Sequence, residues 1–206
     1  MNKRKPLIYV VDDNVSICRS LTLLLKSHGF EVKTFTHARS FLEYKHPKLP
    51  SCLILDIRLP DINGLALQDV MTRRAITIPI IFITGHGDIP MSVKTMKAGA
   101  VDFLTKPVTK KKLLNAITLA ILKSTVQNNK EAEIAKIKRR IRTLSPRELE
   151  VFRLVAKGMM SKNIAFKRGT SLQTIKVHRG RVMQKMKAKT VTELIHFAQK
   201  AGIASS

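Results

Sequence analysis

The sequence predicts an α/β domain with a five-stranded parallel sheet, followed by a separate all-α domain of four helices. Strand-like and helix-like segments alternate within the first 123 residues, which is typical of a parallel sheet. Three of the strand-like segments are continuous apolar runs, as expected for strands that are buried on both faces. After residue 123 the sequence contains helix-start signals but no strand-like run, so the second domain is predicted to be helical.

The predicted elements of the first domain follow one another with short connections. The strands are predicted at residues 7–11, 31–36, 52–57, 79–84 and 101–105. The helices are predicted at 15–28, ending near Gly29, after the turn-rich loop 60–64 to about 74, at 91–98, and from 109 onward.

Four helix starts in the second domain carry capping residues. Ser145-Pro146-Arg147-Glu148 and Thr190-Val191-Thr192-Glu193 have the pattern of capping boxes. Ser161 and Ser171 are predicted to cap the two helices between them. Because these caps and the apolar positions lie within residues 142–206, that fragment is expected to fold by itself.

The segment between the domains has an apolar stripe of uncertain use. Ile134, Ile137, Ile141 and Leu144 follow one another at 3-4-3 spacing in a polar stretch with little Gly or Pro. This pattern is compatible with a solvated helical spacer and with a seam between two chains, and the sequence leaves both open.

Composition excludes several classes of protein. No apolar run approaches the ~18 residues of a membrane span, and the N-terminus lacks the longer apolar stretch of a signal peptide. Two cysteines, Cys18 and Cys52, do not make a disulfide scaffold. The net charge of +24 divides into about +10 before residue 124 and +14 after it. This excess of positive charge favours a polyanionic partner, above all nucleic acid.

Polar side chains stand at the carboxyl ends of four predicted strands. Asp12 and Asp13 follow the first strand, and Asp56, Thr84 and Lys106 lie at the ends of the third, fourth and fifth. In a parallel sheet these ends share one edge, so the side chains are expected to converge. Three carboxylates repel one another unless a hard cation such as Mg²⁺ joins them. Such a site suits attack by a carboxylate on phosphorus, with the lysine and the threonine holding phosphate oxygens.

Four stretches of this domain resemble the receiver domains of two-component systems, over about residues 4–123. They are Val10-Val11-Asp12-Asp13, Leu55-Asp56-Ile57-Arg58-Leu59-Pro60, Ile83-Thr84-Gly85-His86-Gly87-Asp88, and Ala98-Gly99-Ala100-Val101-Asp102-Phe103-Leu104-Thr105-Lys106-Pro107. The resemblance implies a flavodoxin-like fold with strand order 2-1-3-4-5. It also implies that the Lys106-Pro107 peptide bond is cis.

The same resemblance assigns roles to individual residues. Asp56 is implied to be the phosphoacceptor, and Asp12, Asp13, Asp56 and the backbone carbonyl of Arg58 are implied to hold Mg²⁺. Thr84 and Phe103 are implied to form a switch pair, and Lys106 to contact the phosphoryl group. His86 is interpreted as a loop residue that is not needed as a ligand.

A helix predicted over residues 172–186 has the pattern of a helix that reads the major groove. Ile175, Val182 and Met186 fall on one stripe at ~100° per residue and are expected in the core. The other faces are polar, small or basic, which suits contacts to base edges and phosphates. His178 falls toward the core and is expected to pack or to cap a phosphate. The predicted DNA contacts are Lys162, Asn163, Ser171, Gln173, Thr174, Lys176, Val177, Arg179, Gly180, Arg181, Gln184 and Lys185.

Residues 161–168, a turn at Gly169-Thr170 and residues 172–186 have helix-turn-helix proportions. Three motifs accompany them: Leu144-Ser145-Pro146-Arg147-Glu148-Leu149-Glu150-Val151, Lys162-Asn163-Ile164-Ala165 and Thr174-Ile175-Lys176-Val177-His178-Arg179. With these motifs, residues 144–203 resemble the LuxR-type DNA-binding domain. Arg168 and Thr170 depart from the pattern, because that family has apolar residues there. This departure predicts a looser turn, or a phosphate contact by Arg168.

Together the two domains resemble response regulators of the NarL/FixJ class, closer to FixJ through Gly85-His86-Gly87-Asp88-Ile89-Pro90-Met91. The implied domains are a receiver at 1–123, a helical linker at 124–141 and a LuxR-type domain at 142–206. The implied function is transcription control by phosphorylation of Asp56. The protein is expected to be cytoplasmic and no enzyme beyond its own phosphoryl transfer and dephosphorylation. Expected partners are double-stranded DNA, a sensor histidine kinase and a second copy after phosphorylation, with RNA polymerase a further candidate and no membrane.

Two other functions fit parts of the sequence. A Mg²⁺-dependent phosphohydrolase would also use an aspartate nucleophile, but Asp56-Ile57-Arg58 lacks the second carboxylate of the usual Asp-x-Asp motif. An RNA-binding antiterminator would also carry a receiver, but it would end in a helical bundle without a groove-reading helix.

In NarL/FixJ-class receivers the dimer often uses the face after Thr84, which here includes Met91, Val93, Lys94 and residues 101–106.

Overall fold

A computed structural model describes residues 5–85 and 89–203 of the chain. The predicted loop residues His86, Gly87 and Asp88 lie outside this range. The chain divides into two compact units, Met1–Asn129 and Lys130–Ser206. The predicted linker at 124–141 is therefore shared between the two units. None of the helices within the described ranges combines the length and the apolar character needed to cross a membrane.

The first unit is built on a parallel five-stranded sheet with the order β2-β1-β3-β4-β5, which confirms the predicted fold. The central strands are buried at every position, whereas β2 at one edge is largely exposed and β5 at the other is mostly half-buried. This difference explains why only the central strands are continuous apolar runs. The strands are β1 (Leu7–Val11), β2 (Glu31–Phe35), β3 (Ser51–Asp56), β4 (Ile80–Thr84) and β5 (Asp102–Thr105).

Helices cover both faces of the sheet, and each face has its own apolar core. Successive residues of β1 alternate between the cores: Tyr9 packs in one and Ile8 in the other. The helices are α1 (Val15–Ser27), α2 (Ala38–Glu43), α3 (Gly64–Arg73), α4 (Ile89–Lys97) and α5 (Lys110–Ile141). The last helix has 32 residues and continues beyond Asn129.

Helix α2 is the element of this unit that the sequence analysis did not assign. It has only six residues, and its first two backbone N–H groups donate to the carboxylate of Asp61, which is more than twenty positions away. A cap that comes from a distant loop leaves no local signal in the sequence.

An aromatic cluster closes the core near the β1–β2 edge. The ring of His46 lies 5.2 Å from that of Tyr9 and 4.6 Å from that of Phe41 between centroids. Both ring nitrogens of His46 are buried, and neither has a hydrogen-bond partner among the described residues. Burial lowers the pKa of this imidazole, because the charged form cannot be solvated there.

The second unit is a helical bundle with α6 (Pro146–Ala156), α7 (Ser161–Arg168), α8 (Leu172–Met186) and α9 (Val191–Lys200). Its core contains the predicted stripe of Ile175, Val182 and Met186 together with residues of α6, α7 and α9.

Two of the four predicted caps form in full, and two differ from the prediction. Ser145 and Glu148 make a complete capping box, and Ser171 accepts from the N–H of Thr174. Thr190 caps α9, but the carboxylate of Glu193 accepts from the N–H of Lys189 and not from that of Thr190, so this box is incomplete. Ser161 is not a cap, because α7 begins after Met160, which makes no side-chain cap.

The apolar stripe before residue 145 belongs to the core of this second unit. Ile137 is only 2% exposed, and Ile141 and Leu144 pack against the same cluster. The Arg140 guanidinium also donates to the backbone oxygen of Met186 at 3.0 Å. From Ile137 onward the stripe therefore packs within its own unit and is not a solvated spacer. Since Ile137 lies outside residues 142–206, the core of this unit extends beyond that fragment, and independent folding of the fragment stays a prediction.

Candidate phosphoacceptor site and DNA interface

The predicted acidic edge forms in the first unit. Asp12, Asp13 and Asp56 lie at the ends of β1 and β3, and one carboxylate oxygen of each lies within 4.8 Å of the other two. Asp12 and Asp56 are buried, whereas Asp13 is exposed. The Nζ atom of Lys106 donates to Asp12 Oδ2 at 2.8 Å and to Asp56 Oδ2 at 2.6 Å. One ammonium group therefore bridges the two buried carboxylates.

The bridge sets the charge state of Lys106. Partial burial opposes the charged form, but the hydrogen bonds that Lys106 donates to Asp12 and Asp56 outweigh it and raise the lysine pKa. The single positive charge of Lys106 balances only one of the three neighbouring carboxylates. These oxygen ligands and this negative charge fit a hard divalent cation such as Mg²⁺.

The Asp56 carboxylate is held from both sides. Its Oδ1 accepts from the backbone N–H of Arg58 at 3.1 Å, while Oδ2 accepts from Lys106. Each oxygen of a carboxylate has a second lone-pair direction, so capacity for one further bond remains on each. The side chain is therefore oriented without being saturated.

Gly64 is a residue at this site that the sequence analysis did not single out. A Cβ atom on Gly64 would lie 2.6 Å from the backbone oxygen of Asp56 and 3.3 Å from the ring of Phe82. Only glycine therefore lets α3 begin so close to the end of β3. The available signal was the Asn63-Gly64 pair that closes the turn-rich loop, because Asn63 caps α3.

The two implied switch residues lie on neighbouring strands. Thr84 is buried at the end of β4, and its backbone oxygen accepts from the N–H of Lys106 at 2.8 Å. Phe103 is half-buried, lies opposite Phe82 in the β4–β5 register and packs against the core on one face of the sheet. The structure thus joins the end of β4 to Lys106, while the switching role of the pair stays a prediction.

Most of the predicted DNA contacts are exposed on the second unit. On α8 the exposed set is Gln173, Thr174, Lys176, Val177, Gly180, Arg181, Gln184 and Lys185; Lys162 and Asn163 are exposed on α7, and Ser171 is exposed before α8. The opposite stripe of α8 is buried, as predicted. The helix therefore presents a continuous polar and basic face, and His178 is half-buried beside the core.

Two basic side chains of this set are engaged inside the domain. Lys185 Nζ donates to Glu148 Oε2 at 2.6 Å and to the Thr143 oxygen at 3.2 Å. The bond from Lys185, with that from the Ser145 N–H, lowers the pKa of the buried Glu148. Arg179 donates to Ser161 Oγ at 2.9 Å. The helical wheel placed both residues on the basic flanks but could not show these partners.

Arg168 is engaged within its own unit, and the looser turn and the phosphate contact expected from the sequence stay predictions. Its guanidinium pairs with the Glu150 carboxylate, which links the end of α7 to α6. Gly169 follows in the left-handed conformation at φ 57° and ends the helix. An ion pair thus forms at the position where the family pattern has an apolar residue.

Comparison with known proteins identifies both units. Residues 8–118 match the response regulator receiver domain, and residues 142–198 match the bacterial regulatory proteins of the luxR family. The chain is a response regulator of the NarL/FixJ class. This response regulator is 45% identical to nodulation protein W of Bradyrhizobium diazoefficiens over 202 residues, which cover 98% of this chain and 89% of that protein.

Further relatives match along the whole length of the response regulator. The transcriptional regulatory protein FixJ of Azorhizobium caulinodans is 37% identical over 197 residues, 96% of this chain and 93% of that protein. The solved structure of the response regulator StyR has a TM-score of 0.82 and 41% identity, covering 95% of this chain and 99% of that one. The response regulator is therefore a DNA-binding transcription factor that is controlled by phosphorylation.

Proposed function

We propose that Asp56 accepts a phosphoryl group from a sensor histidine kinase, and that phosphorylation produces a dimer that binds a two-fold operator. The bridge of Lys106 between Asp12 and Asp56 is the observation that carries this proposal. It places a nucleophile, a cation and a second carboxylate within bonding distance at the edge where ligands of parallel sheets bind.

The chemistry follows from the positions of these groups. Asp56 attacks phosphorus through a carboxylate oxygen; the bond from phosphorus to the kinase histidine breaks, and the imidazole nitrogen keeps the electron pair. Lys106 then pairs with a phosphoryl oxygen, and the Thr84 hydroxyl holds another. Asp12, Asp13, Asp56 and the Arg58 carbonyl would hold Mg²⁺, which would supply positive charge beside the phosphoryl oxygens.

The dimer is proposed to use the face that follows Thr84. Val93 and Lys94 are exposed on α4, and Met91 is half-buried on the same helix. Phe103 is half-buried on the adjoining strand β5. When the Thr84 hydroxyl turns to the phosphoryl group, Phe103 gains room to turn inward, and the face changes shape. Coupling of this kind is worth ~1–3 kcal/mol.

The second unit is proposed to bind double-stranded DNA through α8. Lys176, Val177 and Gln173 are proposed to contact base edges, and Arg181 and Lys162 to contact phosphates. RNA polymerase is a candidate partner at the promoter, and the proposed site of action is the cytoplasm, where the DNA lies.

Labelling and footprinting on one set of variants test the proposal. With Mg²⁺ and acetyl phosphate, the full chain should form an acyl phosphate that hydroxylamine cleaves, and its footprint on genomic DNA should strengthen. Asp56→Asn should abolish both effects, whereas Asp69→Asn, at an exposed carboxylate on α3, should abolish neither. Normal labelling of Asp56→Asn would show that another residue is the acceptor.

A further inference from the structure

Helix α5 exposes an apolar stripe in the first unit. Leu119, Leu122 and Val126 are 59%, 61% and 62% exposed, although they are large aliphatic side chains. At ~100° per residue they lie within about 60° of one another on the helix. The buried side of the same helix is formed by Leu113, Ala116, Ile117 and Ala120. The stripe therefore points away from the core of the unit.

Polar residues limit this stripe at both ends. Asn115 lies four residues before Leu119, and Asn129 lies three residues after Val126; both are exposed. The five positions are spaced 4-3-4-3, which is the spacing of the a and d positions in a coiled coil. These five positions form the α5 seam.

We propose that the α5 seam binds the same seam of a second copy of this chain, with the two helices parallel. In a parallel two-fold pair each seam residue meets its own counterpart, so leucine packs on leucine and asparagine bonds asparagine. An antiparallel pair would set a positions against d positions and place one asparagine of each copy against an aliphatic side chain. Unpaired amides in such a contact are costly.

The charges beside the seam agree with this pairing. In a parallel pair the side chain opposite Lys123 is Thr118 of the other copy, so two lysines do not face each other there. Lys123 is also held within its own chain, where Nζ donates to the Gly99 oxygen at 3.3 Å.

The place of the seam on the sheet argues against the kinase as its occupant. Ser124, next to the seam, accepts from the N–H of Ser51 at 3.0 Å, and Ser51 begins β3. Asp56 ends the same strand, roughly 17 Å away at ~3.3 Å per residue. The seam thus lies beside the amino ends of the strands, whereas a kinase must bring its histidine to the carboxyl ends.

The size of the seam limits its strength. Three aliphatic side chains per copy fall short of the ~1,200 Å² that a stable interface buries. The seam is therefore a weak contact that strengthens the proposed phosphate-dependent dimer. The inference rests on that proposed dimer for its role, but the contact itself does not involve Asp56.

Disulfide trapping in the full chain tests the contact and its direction. Leu119→Cys should form linked dimers on mild oxidation about ten-fold faster than Leu23→Cys, because residue 119 meets itself in a parallel pair. Leu23, on α1, is 73% exposed and is a matched control. The native cysteines Cys18 and Cys52 are buried. Equal rates for the two variants would overturn the seam.

Sedimentation provides a second readout and separates the two proposals. Leu122→Lys should raise the Kd of the acetyl-phosphate-treated dimer about ten-fold, because it buries a charge at the centre of the contact. Leu23→Lys should leave it unchanged, and an unchanged Kd for Leu122→Lys would contradict the inference. A double variant, Asp56→Asn with Leu119→Cys, separates the two proposals. If it is still labelled by acetyl phosphate and still forms the cross-link, Asp56 is not the acceptor, whereas the α5 seam is supported.

Discussion

The segment before residue 142 should decide whether the DNA-binding half of this regulator is stable by itself. Fragments 130–206 and 142–206 both contain α6 to α9, but only the longer one contains Ile137 and Arg140. Ile137 is buried in the core of the second unit, and Arg140 bonds the Met186 oxygen at the end of α8. We therefore expect the shorter fragment to be much less stable, although the family match starts at residue 142.

The size of the difference follows from these contacts. Burial of an isoleucine side chain contributes ~1.5–3 kcal/mol, and the hydrogen bond from Arg140 adds ~0.5–1.5 kcal/mol. The expected loss is thus about 2–4 kcal/mol. A unit of this size has a total unfolding free energy of only about 4–11 kcal/mol, at ~0.05–0.15 kcal/mol per residue. The shorter fragment should therefore lose between about a fifth of this free energy and all of it.

Urea unfolding followed by circular dichroism measures the difference directly. In fragment 130–206, Ile137→Ala should cost ~2–4 kcal/mol because it leaves a cavity. Lys136→Ala, at an exposed neighbour on the same helix, should change stability by less than ~0.5 kcal/mol. Equal urea midpoints for 130–206 and 142–206 would refute the reasoning, since Ile137 would then contribute nothing to the fold.

Three further predictions concern single side chains of the full chain. Lys185→Met should destabilise the second unit by ~1–3 kcal/mol, seen as a lower melting temperature, because the buried Glu148 carboxylate loses its ammonium partner and keeps only the Ser145 N–H. An unchanged melting temperature with weaker DNA binding would instead indicate that Lys185 contacts a DNA phosphate, as the sequence predicts. Lys176→Ala should weaken operator binding by ~1–3 kcal/mol more than random DNA, whereas Arg181→Ala should weaken both alike and lower the salt slope by about one unit in filter binding. Because burial lowers the pKa of His46, its contribution to the free energy of unfolding should be fully present above pH ~6.5 and should decrease below it, where the unfolded chain binds the proton more readily. His46→Phe should reduce the difference in unfolding free energy between pH 5 and pH 7 in urea titrations. An unchanged difference would exclude His46 as its source.

The candidate site was largely predictable because its geometry depends on the topology of the sheet. In a parallel sheet every strand ends at the same edge, so the order of strands and the residues that follow them suffice to bring Asp12, Asp56 and Lys106 together. Gly64 was not found in this way, because its role depends on how closely α3 approaches β3.

The DNA-binding unit was less predictable in detail, because periodicity shows which face is apolar and not what covers it. The stripe around Ile137 has the spacing of a coiled coil, yet it packs into the bundle of its own chain. The wheel likewise placed Lys185 on a basic flank, but its charge is paired with Glu148 across more than thirty residues. Pairings between distant segments require the tertiary structure.

Lys106 connects the acidic edge to the strands that carry the implied switch. Its ammonium group bridges Asp12 and Asp56, and its backbone N–H donates to the Thr84 oxygen at the end of β4. If Asp56 accepts a phosphoryl group, as proposed, the bond from Lys106 must move from a carboxylate oxygen to a phosphoryl oxygen farther from the strand. Lys106 directly follows β5, and its backbone is bonded to the end of β4. The groups expected to move are therefore its side chain and the neighbouring Thr84. A change of one covalent group at β3 can thus reach Thr84 at the end of β4 through Lys106, without any rearrangement of the sheet.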